Sequence, residues 1–292
     1  MAIRKLLLPL ISSASGEAAL ATALDLATIW QAHVYALHIR ADTRDIAPLA
    51  GEGLSGAMIE EMMTTTEKEG SSQARSLLAL FERETALRGI PVGTPPSLSE
   101  GGVRAAGALF SSVIGREDEL VASEARLADL TIVPHPQSGE DVAAADALHA
   151  VLFDSGRPAL IAPLVKPASI GTRIAIAWNG TGESASAVAS VLPWLSRAKA
   201  VRILASDDYQ RRGPTADRLA EFLRLHGIAA DIVMFRPIDR SVGAGLLGAA
   251  AEFDADLMSM GAYSHSRLRQ LILGGVTRHV LESAKLPVLM NR

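Results

Sequence analysis

The chain has 292 residues, 49% of them hydrophobic and 21% charged, enough for a sizeable core in two domains of about 100–200 residues each and unlike a disordered polymer. Its 28 Lys and Arg against 32 Asp and Glu leave a net charge of −4, which, with no dense basic run, argues against a nucleic acid partner. The absence of cysteine excludes a disulfide framework, a thiolate metal site and a catalytic thiol, and fits a reducing compartment.

At the start, Arg4 and Lys5 followed by the apolar run 6–11 imitate a secretory signal. The run is shorter than the about 7–15 residues of a signal core, and no later segment reaches the roughly 18 of a membrane span. It reads as a buried parallel strand, so the chain is expected to be cytoplasmic, with no membrane partner. Strands are expected near 5–11, 33–39, 108–113, 130–134 and 158–163, and helices near 16–31, 54–88, 117–127 and 142–154. His33 and His38 fall on the second strand and share no helical face, and no His-Glu-x-x-His arrangement exists, so no metal site is expected. Met58, Ile59, Met62 and Met63 recur at helical spacing ahead of Leu77, Leu78, Leu80 and Phe81. They read as an amphipathic helix packed on the first domain, an adaptable Met-rich surface being the alternative.

Residues 165–171, with Pro167 and Gly171, form a natural linker. Beyond it, strands are expected near 173–178, 201–206, 230–235, 256–260 and 287–291, and helices near 183–197, 214–226, 242–253 and 276–284. Pro193 should end or kink the first of these helices. The order repeats that of the first half. Leu8 to Ser13 aligns with Ile176 to Thr181, Leu127-Ala-Asp-Leu with Asp254-Ala-Asp-Leu, and Pro158-Ala-Leu-Ile with Pro287-Val-Leu-Met. The offset falls from 168 residues (176 minus 8) to 129 (287 minus 158), so the first copy carries an insertion of about 39 residues near 41–80. The fold expected is α/β, with two tandem domains, 1–165 and 166–292, each an open parallel five-stranded sheet flanked by helices.

After the fourth strand of the second copy comes Met260-Gly261-Ala-Tyr-Ser264, then nine residues, then Gly274-Gly275-Val276-Thr277. Glycines that permit close backbone approach, followed by the unpaired N–H groups of a helix start, make an anion site suited to phosphate. Glycines also punctuate strand-to-helix turns for structural reasons alone. The spacing, the strand-helix order and the duplication resemble a tandem universal stress protein, of Rossmann-like, adenine-nucleotide α-hydrolase-like fold. Ser264 stands at the motif's second glycine and Gly275 at its hydroxyl position.

That resemblance implies a stress-response protein binding an adenine nucleotide, ATP with Mg²⁺, in its second domain in a regulatory or sensing role. Asn179 stands where the family's nucleoside-contacting aspartate ends the first strand, following Ala177; the alternative is that Asn179-Gly180 merely forms a turn. Ala205 or Ser206 matches the main-chain contact to the base, Met260 and Gly261 approach the ribose, and Ser264 and Gly274 to Thr277 face the phosphates. Asp207 and Asp208 offer carboxylates to Mg²⁺ through phosphate. Arg267 and Arg269 read as surface charges, pairing with a terminal phosphate being the alternative; His265 either contacts phosphate or is exposed, and lacks the partners of a catalytic base. No catalytic residue is expected. The rival readings are a slow ATPase or adenylate-handling enzyme, and a nucleotide-free interaction protein. The first copy has Ile11 or Ser12 at the aspartate position, and Pro134 and Pro136 in its loop remove backbone donors. It is expected to pack against the second as a pseudo-dimer, through 158–164 and 287–291, in a chain that could itself form a homodimer.

Overall fold

The computed structural model describes residues 2–42, 55–93, 105–136, 142–263 and 275–292. The first half runs β1 (Lys5–Pro9), α1 (Ala14–Trp30), β2 (His33–Arg40), α2 (Gly56–Leu87), β3 (Gly107–Ile114), α3 (Glu117–Ala125), β4 (Leu130–Val133), α4 (Val142–Ala150) and β5 (Ala159–Ile161). Helix α4 continues into a π-helical turn, Val151–Ser155. The second half repeats the order with β6 (Arg173–Ala177), α5 (Gly182–Leu195), β7 (Ala200–Ala205), α6 (Ala216–Leu225), β8 (Asp231–Met234), α7 (Val242–Glu252), β9 (Leu257–Gly261), α8 (Gly275–Ser283) and β10 (Val288–Asn291). Pro193 lies in the last turn of α5, where the helix is about to end.

Both five-stranded sheets are present, and they join edge to edge in the order β3-β2-β1-β4-β5-β10-β9-β6-β7-β8. Every pairing is parallel except the junction, where β5 and β10 run antiparallel with Leu160 opposite Leu289. This is the contact a two-fold axis would make between two copies of one domain. It covers the two closing edges that would otherwise invite foreign strands. Helices α1, α2, α5 and α6 bury their apolar stripes on one face, and α3, α4, α7 and α8 on the other. Each of these cores crosses the junction. On the first face Trp30 meets Trp194 edge-on with ring centroids 5.1 Å apart, and Arg197 stacks over Trp30.

The repeated Ala-Asp-Leu has a physical purpose. Asp129 accepts hydrogen bonds from the backbone N–H groups of Arg4 (2.7 Å) and Lys5 (3.0 Å), and Asp256 accepts from Thr172 and Arg173 at 2.8–3.0 Å. In each half a carboxylate just ahead of one central strand thereby pins the start of its neighbour. Ser13 and Thr181 likewise cap α1 and α5, accepting from Gly16 N (3.1 Å) and Ser184 N (3.3 Å).

One expectation fails. The Met-rich start of α2 does not pack into the core: Met58 is 50% and Met62 40% exposed, and only Leu77, Phe81 and Thr85 of this helix are buried. A 32-residue helix is about 48 Å long, whereas the eight-residue strands beneath it span about 26 Å. The excess helix overhangs the sheet.

Candidate functional site

In an open parallel sheet the ligand crevice lies beyond the carboxyl ends of the strands, where strand order reverses. In the second half that point falls between β6 and β9. A cavity of about 150 Å³ opens there, its walls formed by Asn179, Thr181 and Glu183 after β6, Tyr209 and Arg211 after β7, Gly261 and Tyr263 at the end of β9, and Gly275, Val276 and Thr277 at the start of α8. A larger cavity, about 520 Å³, lies between α3 and α4 of the first half. The smaller one is the better candidate, because it combines the switch point with a helix N-terminus.

The turn after β6 is built from its own side chains. Asn179 Oδ1 accepts from Thr181 N (3.2 Å) and Thr181 Oγ1 (2.9 Å), and Thr181 Oγ1 accepts in turn from Ser184 N. The acceptor oxygen expected to meet a nucleoside is therefore engaged in the turn, and the amide N–H₂ is the group Asn179 can still offer. Gly180 has φ +79°, and a Cβ there would lie 3.0 Å from Pro214 O. The loop after β7 closes on this turn: Trp178 Nε1 donates to Pro214 O (2.9 Å) and Arg211 N to Asn179 O (2.8 Å). These bonds set Arg211 and Tyr209 at the cavity wall.

Gly261 is required by packing. A Cβ on it would lie 2.5 Å from Ser184 N and 2.6 Å from the carbonyl carbon of Glu183, so glycine lets the end of β9 touch the first turn of α5. Gly275 is different, since nothing lies within 4 Å of the Cβ position and the residue is exposed. Together with Val276 and Thr277 it brings first-turn N–H groups, and the positive end of α8, to the cavity. Arg211 adds a full positive charge to the cavity wall, which also carries Glu183.

Of the residues marked from sequence, Asn179, Gly261, Gly275, Val276 and Thr277 meet in this cavity. Ala177, Ala205 and Met260 do not line it: their side chains are buried in the sheet, and Ala205 O already accepts from Phe235 N. Asp207 and Asp208 are exposed and away from the cavity wall. Among the described residues no carboxylate and imidazole cluster could hold a metal ion. Ser264, His265, Arg267, Arg269 and Gly274 lie outside the described residues. Sequence reasoning missed Thr181, Glu183, Tyr209, Arg211 and Tyr263. The Arg-Arg-Gly-Pro turn at 211–214 was the available signal for Arg211.

Burial pushes the phenols of Tyr209 and Tyr263 up to about 12, so both stay protonated as hydrogen-bond donors. Tyr263 also reaches across the junction. Its hydroxyl lies 2.9 Å from His149 Nε2, and its ring packs edge-on against Phe153.

Residues 183–292 match the model of the Universal stress protein family. Among curated proteins nothing matches the chain. Among solved structures, a universal stress protein from Archaeoglobus fulgidus DSM 4304 superposes with a TM-score of 0.70 at 15% identity, over 99% of this chain and 98% of that one. A functionally unknown protein from Pseudomonas aeruginosa PAO1 gives 0.52 at 17% identity, over 99% of this chain and 92% of the other. At these identities the likeness is one of fold, and it extends over both halves. Among the described residues, no helix is long and apolar enough to cross a membrane.

Proposed function

Since residues 183–292 match the model of the Universal stress protein family, we propose that the chain belongs to that family and serves a stress response by binding an adenine nucleotide, ATP, in the crevice of its second half, as a sensor or regulator. The observation that carries this reading is the convergence, at the switch point, of the first turn of α8 with Arg211. Backbone N–H groups at Gly275, Val276 and Thr277 would hold phosphate oxygens, and Arg211 would neutralise the outermost charge. The Asn179 amide and the Tyr209 hydroxyl supply polar contacts for the nucleoside. Mg²⁺ would ride on the phosphates, because Asp207 and Asp208 do not line the cavity. The role proposed is binding rather than turnover.

Fluorescence titration of the full chain with ATP and with GTP tests this directly. Arg211→Glu should weaken ATP by tenfold or more while leaving the unfolding midpoint in place, since Arg211 is exposed. Equal affinity of wild type and variant would remove Arg211 from the site. Absence of any nucleotide binding by the wild type would overturn the reading.

A further inference from the structure

The first half carries prolines at the positions equivalent to Gly261 and Tyr263, yet it places two side chains against the second half's crevice. Tyr263 lines that cavity with a backbone φ of 58°, a left-handed conformation in which a bulky residue is a genuine outlier held only by its surroundings. Those surroundings come from the first half. His149 Nε2 lies 2.9 Å from the Tyr263 hydroxyl, the His149 and Tyr263 rings are 5.5 Å apart, and Phe153 stands 5.0 Å from Tyr263. Phe153 projects from the π-helical turn that ends α4, a local distortion found often at functional sites. Arg292, just after β10, stacks over the Phe153 ring, 4.4 Å from its centroid.

We propose that His149 and Phe153 are positioning residues for the ligand site of the second half, holding Tyr263 in its left-handed conformation and so setting the path of the chain where β9 enters the cavity. The proposal rests on the reading of that cavity as a nucleotide site, but its structural half can be tested without nucleotide. The first half is thereby part of the site, and an isolated second half would have an ill-set crevice wall. Burial holds His149 below the usual imidazole range, and in the neutral tautomer protonated on Nδ1 its Nε2 accepts from the phenol. Protonation would turn Nε2 into a donor and leave the phenol proton without that acceptor.

The charged groups facing His149 are Asp146, one turn earlier on α4, Asp154 of the π-helical turn, and Arg116, Glu117 and Asp118 at the start of α3. Asp146 favours the imidazolium and opposes the burial. Affinity for ATP should therefore fall, relative to a variant without an imidazole, as pH drops below about 6.5.

The test compares full-length wild type, Tyr263→Phe, His149→Phe, His149→Gln and the His149→Phe/Tyr263→Phe double variant, by hydrogen exchange over 257–263 and 275–283 and by ATP calorimetry at pH 7.5 and 5.5. His149→Phe and Tyr263→Phe should each speed exchange in both segments at least fivefold and weaken ATP about tenfold. The double variant should be no worse than either, because one bond is lost in each. His149→Gln, which keeps an acceptor, should restore most of the affinity and abolish the extra loss at pH 5.5. Unchanged exchange in His149→Phe and in Tyr263→Phe, a variant that lacks only a hydroxyl, would overturn the proposal whether or not ATP binds. Faster exchange in both, with no ATP bound by the wild type, would sustain the positioning role and refute the nucleotide reading.

Discussion

The two crevices of this sheet are built on one scaffold and finished differently. At the first, β1 leads through Ile11 and Ser12 to the cap Ser13; at the second, β6 leads through Asn179 and Gly180 to the cap Thr181. Both halves pin their central strands with an aspartate, Asp129 or Asp256. They diverge after the fourth strand, where Pro134 and Pro136 stand in one copy and Gly261 and Tyr263 in the other. Beside Ile11, Ser12 and Ser13, the residues Ser76, Leu77, Leu80 and Arg83 of α2 wall a cavity of about 400 Å³. The caps, strand pins and core that fold each copy therefore do not depend on the loop after its fourth strand, which differs between the two.

If the two halves are one folding unit, the largest effect should come from the junction. Leu160 and Leu289 face each other across β5 and β10 and are fully buried. Leu289→Asp should cost about 3–5 kcal/mol and lower the urea midpoint of both halves together. The same change at Leu164, 46% exposed, should stay within about 0.5 kcal/mol. Independent unfolding of one half in Leu289→Asp would show that the shared cores do not couple them.

The strand pins sharpen what is common. Asp129→Ala and Asp256→Ala each release at least two backbone N–H groups and should each cost about 2–3 kcal/mol by denaturant titration. A large loss in one half and none in the other would mean that the repeat is not mechanically equivalent. Gly261→Ala probes what differs. It forces a Cβ to within 2.5 Å of Ser184 N and should cost about 1–3 kcal/mol, whereas Gly275→Ala, with open space around it, should change stability by less than about 0.5 kcal/mol.

Most of this was legible in the sequence for a physical reason: buried parallel strands are short apolar runs, and their helices carry apolar stripes, so β1 to β10 and the eight helices fall within a few residues of their expected places. The 6–11 strand, the linker and the repeated Ala-Asp-Leu were all visible. Two kinds of feature were not. The Met58 and Met62 stripe has core periodicity, but periodicity says nothing of what lies underneath, and the sheet ends before the helix does. At the site, Asn179 was recognisable as polar and well placed, yet its acceptor is engaged by Thr181, two residues on. Arg211 reaches the crevice, and His149 reaches the Tyr263 that lines it, only through tertiary folding, His149 from 114 positions earlier in the chain.

The smallest expected effects are titrations. His33, His38, His135 and His149, all in the first half, are held below the ordinary value of 6.5 chiefly by burial. Their neutral forms favour the fold, so this stability is present above pH 6.5 and lost as pH falls through the lowered values. Glu117 has the opposite sign. Burial, reinforced by Asp146 and Asp118, pushes it up to about 7, so its contribution is present below about 4.5 and lost as pH rises through about 7. Glu117→Gln should therefore stabilise by about 1 kcal/mol at pH 8 and by nothing measurable at pH 4. Thermal melts at the two pH values check this, and an equal shift at both would deny the buried carboxyl its role.

The most direct test of the contrast between the crevices is calorimetric titration of ATP into three full-length proteins: wild type, Gly275→Glu and Ser12→Glu. Gly275 and Ser12 are both exposed, so neither glutamate should disturb the fold, and one at the start of α8 favours the helix dipole. The account predicts one nucleotide per chain in the wild type, unchanged binding in Ser12→Glu, and at least a tenfold loss in Gly275→Glu, where the new carboxylate competes with phosphate for the same N–H groups. Two nucleotides per chain, or wild-type affinity in a folded Gly275→Glu, would contradict it.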